Sequence, residues 1–525
     1  MVISGPVFPD AIPFRDNYPD SRQQQNIKSV MNLAKKFHHD AGISYTDSSV
    51  TDSCIVLESG HQPNFFPHSG VWKKALLLNY LKNHLKEHHE NVIALFGFAD
   101  QNISTAKLLY ENHIPSVNKT GAEKIGIKLN DEQRWQCFNA IQKPDKETWD
   151  AEIRRILSLY SDQAKLARAD VNAIRDRTAS IAEITETCYD RANNFAELHA
   201  FIFSKICTMC LDLDISFFRY SDIQAANVFD DEVKNLIANR ETYIKIYNQT
   251  IQAQNLEIPP VAPDYLPFWY HCSCGGKVAL SFCKETQMGE GICPVCKTRH
   301  VFSLNQSDAA NKDFFKRTGL VAVARNIVFS EGLNTAIFIS GSGGGMQYGA
   351  IAGEIERTLG THIPTSVVWR SKDQYIGIVH KIALKDFQKN FHVPIQDISD
   401  ARANEKISEF IREIQNKIRT LEKQPENKKD LQKYQGICRN ASTQVKIARN
   451  IFTIIPSFFD VMVNIPCGTI KDRWMEGISK SRVEIYENMA IFHQDIVYPD
   501  ELFKEIPLED IPKIFRTMQS LVVES

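Results

Sequence analysis

Two histidines, a glutamine and an asparagine fall within eight residues in the stretch Gly60-His61-Gln62-Pro63-Asn64-Phe65-Phe66-Pro67-His68-Ser69-Gly70, a polar loop between an apolar run (Cys54 to Leu57) and an amphipathic one (Val71 to Leu85). The first run reads as a strand and the second as a helix, so the loop ends at a helix N-terminus. Free backbone N–H groups and the positive end of the helix dipole favour an anion there, and Gln62 and Asn64 add side-chain donors. Lys73 and Lys74, just inside the helix, can neutralise charge. His61 and His68 are the candidates for proton transfer, because an imidazole titrates near neutrality. The competing reading is that Gly60, Pro63, Pro67 and Gly70 only shape a tight connection. A second junction of the same kind runs from Thr335 to Tyr348, where an apolar strand enters Ser340-Gly341-Ser342-Gly343-Gly344-Gly345. Its spacing is neither GxGxxG nor a P-loop, so backbone amides, with Ser340, Gly341, Gly343, Gln347 and Tyr348 beside them, would have to hold the ligand. The glycines could equally serve close strand–helix packing. A third run, Val92 to Phe98, ends at Asp100, Gln101 and Asn102, where Asp100 could orient an amine and Asn102 could bind substrate.

The cysteines carry a separate chemistry. His271-Cys272-Ser273-Cys274-Gly275-Gly276 is followed by Cys293-Pro294-Val295-Cys296, a zinc ribbon signature. Four thiolates suit tetrahedral zinc, and Gly275 and Gly276 let backbone amides turn toward the sulfurs. The set Cys272, Cys274, Cys293 and Cys296 is preferred. The first knuckle is tighter than the usual C-x-x-C, so Cys283, His271 or His300 could replace one ligand. A closed four-cysteine site leaves no position for water and is read as structural. Lys277, Lys284, Lys297, Arg299 and His300 could meet nucleic-acid phosphates or simply be solvated. Cys207 and Cys210 lie in an apolar helical run, Leu198 to Leu213, and are read as buried rather than reactive.

Positioning two βα turns so distant in sequence at one site calls for an α/β fold, with a doubly wound parallel sheet whose ligand lies outside the carboxyl ends of its strands. Further strands are expected at Ile215 to Tyr220, Val321 to Phe329 and Ser366 to Trp369, and helices at Ala151 to Tyr160 and Ala167 to Ala192. Between Ala401 and Thr453, Ile407, Ile411, Ile414, Ile418 and Leu421 recur at helical spacing before a break at Gln424 to Asn427, which reads as a coiled-coil hairpin. Its stripe could pair within the hairpin or with a second subunit. The expected divisions are 1–265 and 305–400 for the core, 266–304 for the ribbon, 401–455 for the hairpin and 456–525 for a helical C-terminal segment. A chain of 525 residues, 43% hydrophobic and 24% charged, suits several globular units. A net charge of −2 excludes bulk attraction to nucleic acid or to an acidic membrane. No apolar run reaches bilayer length, and Met1 to Asn17 lacks a basic-then-apolar layout, so a cytoplasmic protein with reduced thiols is expected.

The order of these motifs resembles that of the bacillithiol-biosynthesis cysteine-adding enzymes (BshC-like). Their members carry a strand ending in a GQQ-type loop, matched here by Gly60-His61-Gln62-Pro63. An acidic-His cluster follows, at Phe96-Gly97-Phe98-Ala99-Asp100-Gln101-Asn102, and then an SGPGE-type turn, at Ser340-Gly341-Ser342-Gly343-Gly344, before a coiled coil. The resemblance spans roughly Ser21 to Pro456 through short motifs. The string His61-Gln62-Pro63-Asn64-Phe65-Phe66-Pro67 also resembles the HQPNYLPW-type loop of the WbqC-like family, associated with surface-polysaccharide genes. Both resemblances imply a Rossmann-like core. The first implies a ligase joining a cysteine-like amino acid or other acyl donor to an amine or amino-sugar acceptor, with ATP and Mg2+ as the expected energy source.

Departures qualify that implication. Gln101 and Asn102 stand where the ligases have carboxylates, Ile103 where they have His, and Gly344 where the turn has Glu. Losing carboxylates removes magnesium ligands and general bases together, so altered substrate or altered chemistry is expected. The alternatives are a non-catalytic zinc-ribbon protein that binds RNA or a protein partner, and a WbqC-like enzyme of polysaccharide assembly.

Overall fold

Cys54, Val56, Ile93 and Leu95 pack into one buried cluster, while Ile55, Leu57, Val92, Ala94 and Phe96 pack into another. That alternation is the period of an extended chain, and burial on both sides is what parallel strands covered by helices require. These residues form Ile55–His61 and Val92–Phe98 in an eight-stranded sheet ordered Val2–Ser4, Arg482–Tyr486, Met489–His493, Thr365–Arg370, Thr335–Ser340, Ile55–His61, Val92–Phe98 and Ser216–Arg219. The six strands from Met489–His493 onward run parallel, and the two at the other edge pair antiparallel. The computed structural model describes residues 2–4, 10, 12–13, 18–118, 120–304, 316–399, 402–499 and 506–521. Ala401, the start of the 305–400 segment and most of Met1 to Asn17 lie outside the described residues.

From Ile55–His61 the chain builds one way, through Val92–Phe98 to Ser216–Arg219, and then returns to the other side with Thr335–Ser340. The helices that follow the two central strands therefore cover opposite faces: Ser69–Leu85 packs in one cluster and Gly344–Leu359 in the other. Where the direction of winding reverses, the connections part and leave a crevice at the carboxyl ends of the strands. Between Val92–Phe98 and Ser216–Arg219 stand three helices, Lys146–Ala167, Val171–Arg191 and Phe195–Met209. Each starts where Asp145, Asp170 or Asn194 accepts a first-turn N–H.

A second, antiparallel sheet is ordered Arg299–Ser303, Met288–Ile292, Lys277–Cys283, Tyr265–His271 and Thr318–Leu320. It carries the cysteines. The helices Ala403–Leu421 and Lys428–Thr453 form the expected hairpin. Ile407 and Ile411 of its stripe are buried in one cluster with Ala441, Val445, Ala448 and residues of the helix Ile378–Phe391, and Ile414 is buried as well, so the inner part of the stripe is satisfied within the chain. No helix among the described residues is long and apolar enough to cross a membrane.

Two expectations are corrected. Val321 to Phe329 is not a strand but lies in the helix Ala322–Leu333, whose buried Val323, Ala324, Ile327 and Val328 repeat with a helical period. A short apolar run rich in β-branched residues does not separate the two states. The segment after 456 is not wholly helical, because Arg482–Tyr486 and Met489–His493 form a hairpin that extends the main sheet. Glu487 and Asn488 make the two-residue turn between them.

Candidate functional site

The loop after Ile55–His61 divides in two. Phe65 and Phe66 are buried, and their carbonyls accept from Asn112 Nδ2 at 3.3 and 2.9 Å. Ser457 Oγ also donates to Phe66 O, at 2.7 Å. This half is an anchor. Gly60, His61 and Gln62 instead line a crevice of about 750 Å3 together with Lys74, Asn102, Ser340, Gly341, Gly343, Tyr348, Lys277 and Arg325. The sequence-distant βα turns thus meet, as the topology requires.

Gly60 and Gly97 face each other in adjacent strands because Tyr220 lies across them: a Cβ on Gly60 would stand 2.5 Å from Tyr220 Oη and 2.7 Å from Gly97 O. The Tyr220 hydroxyl bonds Glu58 beneath the crevice, and burial pushes that carboxyl up to about 7. The Arg325 guanidinium stacks on the Tyr220 ring at 4.6 Å. Lys74 Nζ donates to Gly60 O at 2.7 Å, and burial, reinforced by Arg325, pushes its pKa down to about 7. Lys277 Nζ lies 5.2 Å over the Trp269 ring, and burial pushes it down to about 8. No carboxylate lines the crevice among the described residues. The N-terminus of Gly344–Leu359, which also borders the crevice, has no side-chain cap among the described residues, and a Cβ at Gly341 or Gly343 would meet open space among them. Two lysines, an arginine and exposed helix amides around one cleft give it an electropositive lining that suits an anion.

His61 also borders the crevice. Its Nδ1 lies 3.0 Å from Gln62 O, and burial, helped by the Lys74 charge, pushes its pKa down to about 3. A carbonyl can only accept, so Nδ1 carries the proton and Nε2 is left as an acceptor. His61 is thus a neutral base and not the near-neutral acid–base group expected from an unperturbed imidazole. Ala99, Asn102, Lys277, Leu320 and Arg325 also border an adjoining chamber of about 70 Å3. There, His271 Nε2 is buried without a partner.

Other candidates stand apart from the crevice. Lys73 pairs with Asp373 at 2.9 Å and lies 4.5 Å over Trp369. His68 Nδ1 meets Pro456 O at 3.3 Å. Asn64 is buried in the loop, and Gln347 accepts from the Glu257 amide at 2.9 Å. Asp100 lies beneath the floor, accepting from the Ser221 hydroxyl and, at 3.2 Å, from the Ser221 amide, with burial pushing its pKa up to about 6. Lys277 and Arg325 are the charged lining residues that sequence reasoning did not assign to this site. Lys277 sits three residues after a candidate metal ligand, and Arg325 lies on the segment misread as a strand.

Cys272, Cys274, Cys293 and Cys296 bring all four Sγ atoms within 4.8 Å of one another, a set that can hold a metal ion such as zinc. Cys283, His271 and His300 are outside this cluster. Of the neighbouring basic residues, Lys284 pairs with Glu241, Arg299 pairs with Glu290, and Lys297 donates to Pro294 O. Neither a protein-family model nor a curated protein matches this chain, so its functional reading rests on the crevice and the cysteine cluster themselves.

Proposed function

We propose that this protein is a BshC-like carbon–nitrogen ligase or transferase with a Rossmann-like core, joining a small acyl donor, such as an amino acid, to an amine or amino-sugar acceptor. The observation that carries the proposal is the crevice itself, where Lys74, Lys277, Arg325 and an uncapped helix N-terminus converge with no carboxylate among the described lining residues. Condensing a carboxylate with an amine in water is unfavourable, so the donor arrives activated, as an acyl phosphate or adenylate. Its phosphate lies on the amides of Gly341 to Gly345, with Lys277 and Arg325 opposite. The acceptor nitrogen attacks the acyl carbon, the C–N bond forms, and the bond from that carbon to the oxygen that bridges it to phosphorus breaks. The electron pair leaves on the phosphate, which the cations stabilise. The proton lost by the amine passes to Lys74 Nζ, which burial makes available as a free amine near neutrality, while His61 Nε2, a far weaker base, only accepts a hydrogen bond from it.

The turn amides, Lys277 and Arg325 fit the phosphates of ATP, which would supply the activation. Mg2+ does not fit the described lining, which offers it no carboxylate, and the proposed chemistry does not use it. The four cysteines fit structural zinc, in a zinc ribbon. The missing carboxylates also favour a second reading, a binding protein that recognises the same anions without turnover.

Incubation with acetyl phosphate or aminoacyl adenylates and a panel of amines, read by mass spectrometry for new amides, tests the first reading. Amide formation that falls at least tenfold in Lys74→Met and Arg325→Met supports it. Phosphate-dependent thermal stabilisation with no amide product from any pair would leave the binding protein as the better account.

A further inference from the structure

The four-cysteine cluster does not stand free of the crevice. Its first turn is closed by Cys272 N to Gly276 O and Gly275 N to Cys272 O, both 2.9 Å. Gly275 has φ +87°, a conformation suited to glycine, and a Cβ on Gly276 would stand 2.4 Å from Cys293 Sγ. This backbone is therefore moulded onto the sulfurs. Its outer side docks on a segment of the main domain: Cys137 N donates to Gly275 O at 2.8 Å, Gln136 Nε2 donates to Cys274 O at 3.1 Å, and Gln136 forms a β-bridge with Gly276. That segment is tied in turn to the end of the strand Val92–Phe98, through Phe138 N to Asn102 O at 2.9 Å and Asn139 N to Asp100 O at 3.0 Å. Lys277, the next residue after the turn, opens a strand and lines both the crevice and the chamber beside it.

We infer that the metal site is a latch for the crevice: an ion of the zinc class held by Cys272, Cys274, Cys293 and Cys296 fixes the Cys272 to Gly276 turn, which sets Lys277 and, through Gln136 and Cys137, Asn102. Four sulfurs this close either repel as thiolates or make only weak S–H contacts as thiols. A cation at their centre is what keeps the turn closed. When the ion is absent the wall carrying Lys277 relaxes, while Lys74, Arg325 and the glycine-rich turn stay in place. Anion binding then weakens without vanishing. Gln136 acts as a positioning residue, linking the turn to the crevice without touching either the ion or the anion. The inference rests on the reading of the crevice as an anion site.

The test uses full-length protein with its metal content measured, and sulfate as the probe, since sulfate does not extract zinc. Sulfate affinity should fall roughly ten- to a hundredfold when the protein is stripped by a chelator, the range for losing one charged hydrogen bond, and should return on adding Zn2+. Gln136→Ala should keep its zinc and still bind sulfate more weakly. In Lys277→Ala, stripping should cost clearly less affinity than in the unaltered protein, because one of the two groups that it displaces is already gone. Stripped, folded protein that binds sulfate as the loaded form does would overturn the latch, as would losses that add in Lys277→Ala. Hydrogen exchange supplies a readout that does not need the anion: stripping should expose the amides of Cys137, Phe138 and Asn139. Unchanged protection there would sink the latch. No sulfate binding in any form, combined with the expected exchange, would instead remove the anion reading and leave the metal-dependent wall standing.

Discussion

Lys73 and Lys74 are consecutive on one helix and have opposite fates. Lys73 points to the far side of the strand ends, where its side chain is 2% exposed and its charge meets Asp373, Ser371 and the Trp369 ring. Lys74, about 100° further round the helix, enters the crevice and meets one carbonyl and no carboxylate. A buried charge is costly unless it is paired. The first lysine therefore behaves as structure, while the second has no carboxylate beside it among the described lining residues and faces the crevice. Burial presses on both ammonium groups, but only Lys73 has a carboxylate opposing it.

The largest effect should come from breaking the paired side. Lys73→Met leaves Asp373 nearly buried without its cation, and chemical denaturation should record a loss of about 3–5 kcal/mol. Adding Asp373→Leu should recover much of it; a double variant as unstable as the single one would show that the pair is not the cause. Next in size is Gly60→Ala, which disturbs the carbonyl that Lys74 uses. Its Cβ would meet the Tyr220 hydroxyl and, more seriously, the Gly97 carbonyl, which cannot rotate away. A cost of about 1–3 kcal/mol is expected. Tyr220→Phe in the same chain should relieve only part of it, since the backbone clash remains.

This contrast bears on what could be read in advance. The strand Val92–Phe98 was legible from its unbroken apolar run, and the two βα turns from their glycines and flanking patterns. The four cysteines were legible because metal geometry constrains spacing within one short segment. The partner of Lys73 was not, because Asp373 lies 300 residues away and only the folded sheet brings the two together. Arg325 was hidden by a local ambiguity, since Val321 to Phe329 is short enough to suit either period. His61 does border the crevice, but its protonation was not legible, because burial and the Lys74 charge are properties of the cavity and not of the loop. The sequence supplies the groups that end at the crevice, and long-range packing decides which of them keep their charge.

The smallest expected change in stability, and the sharpest test of the comparison, is Lys74→Met. Replacing a half-buried cation that has no carboxylate partner by an apolar side chain of similar length should cost the fold little or nothing, because relief of the charge's desolvation offsets the lost bond to Gly60 O. Its effect belongs to binding and to pH. Lys74 is pushed down to about 7 and Lys277 to about 8, whereas both ammonium groups of the unfolded chain stay charged to about 10. Between these limits the unfolded state binds more protons, so these two groups make stability rise with pH from about 7 upward. Anion binding must run the other way, since it needs the charged lysines: sulfate affinity should be full near pH 6 and fall as pH passes 7 and 8. Bound sulfate favours the ammonium forms, so calorimetry in buffers of different ionisation enthalpy should detect proton uptake near pH 8. In Lys74→Met the lower step of the profile should vanish while Lys73→Met, if folded, keeps it. A profile unchanged by Lys74→Met would mean that this lysine, like its neighbour, is only part of the architecture.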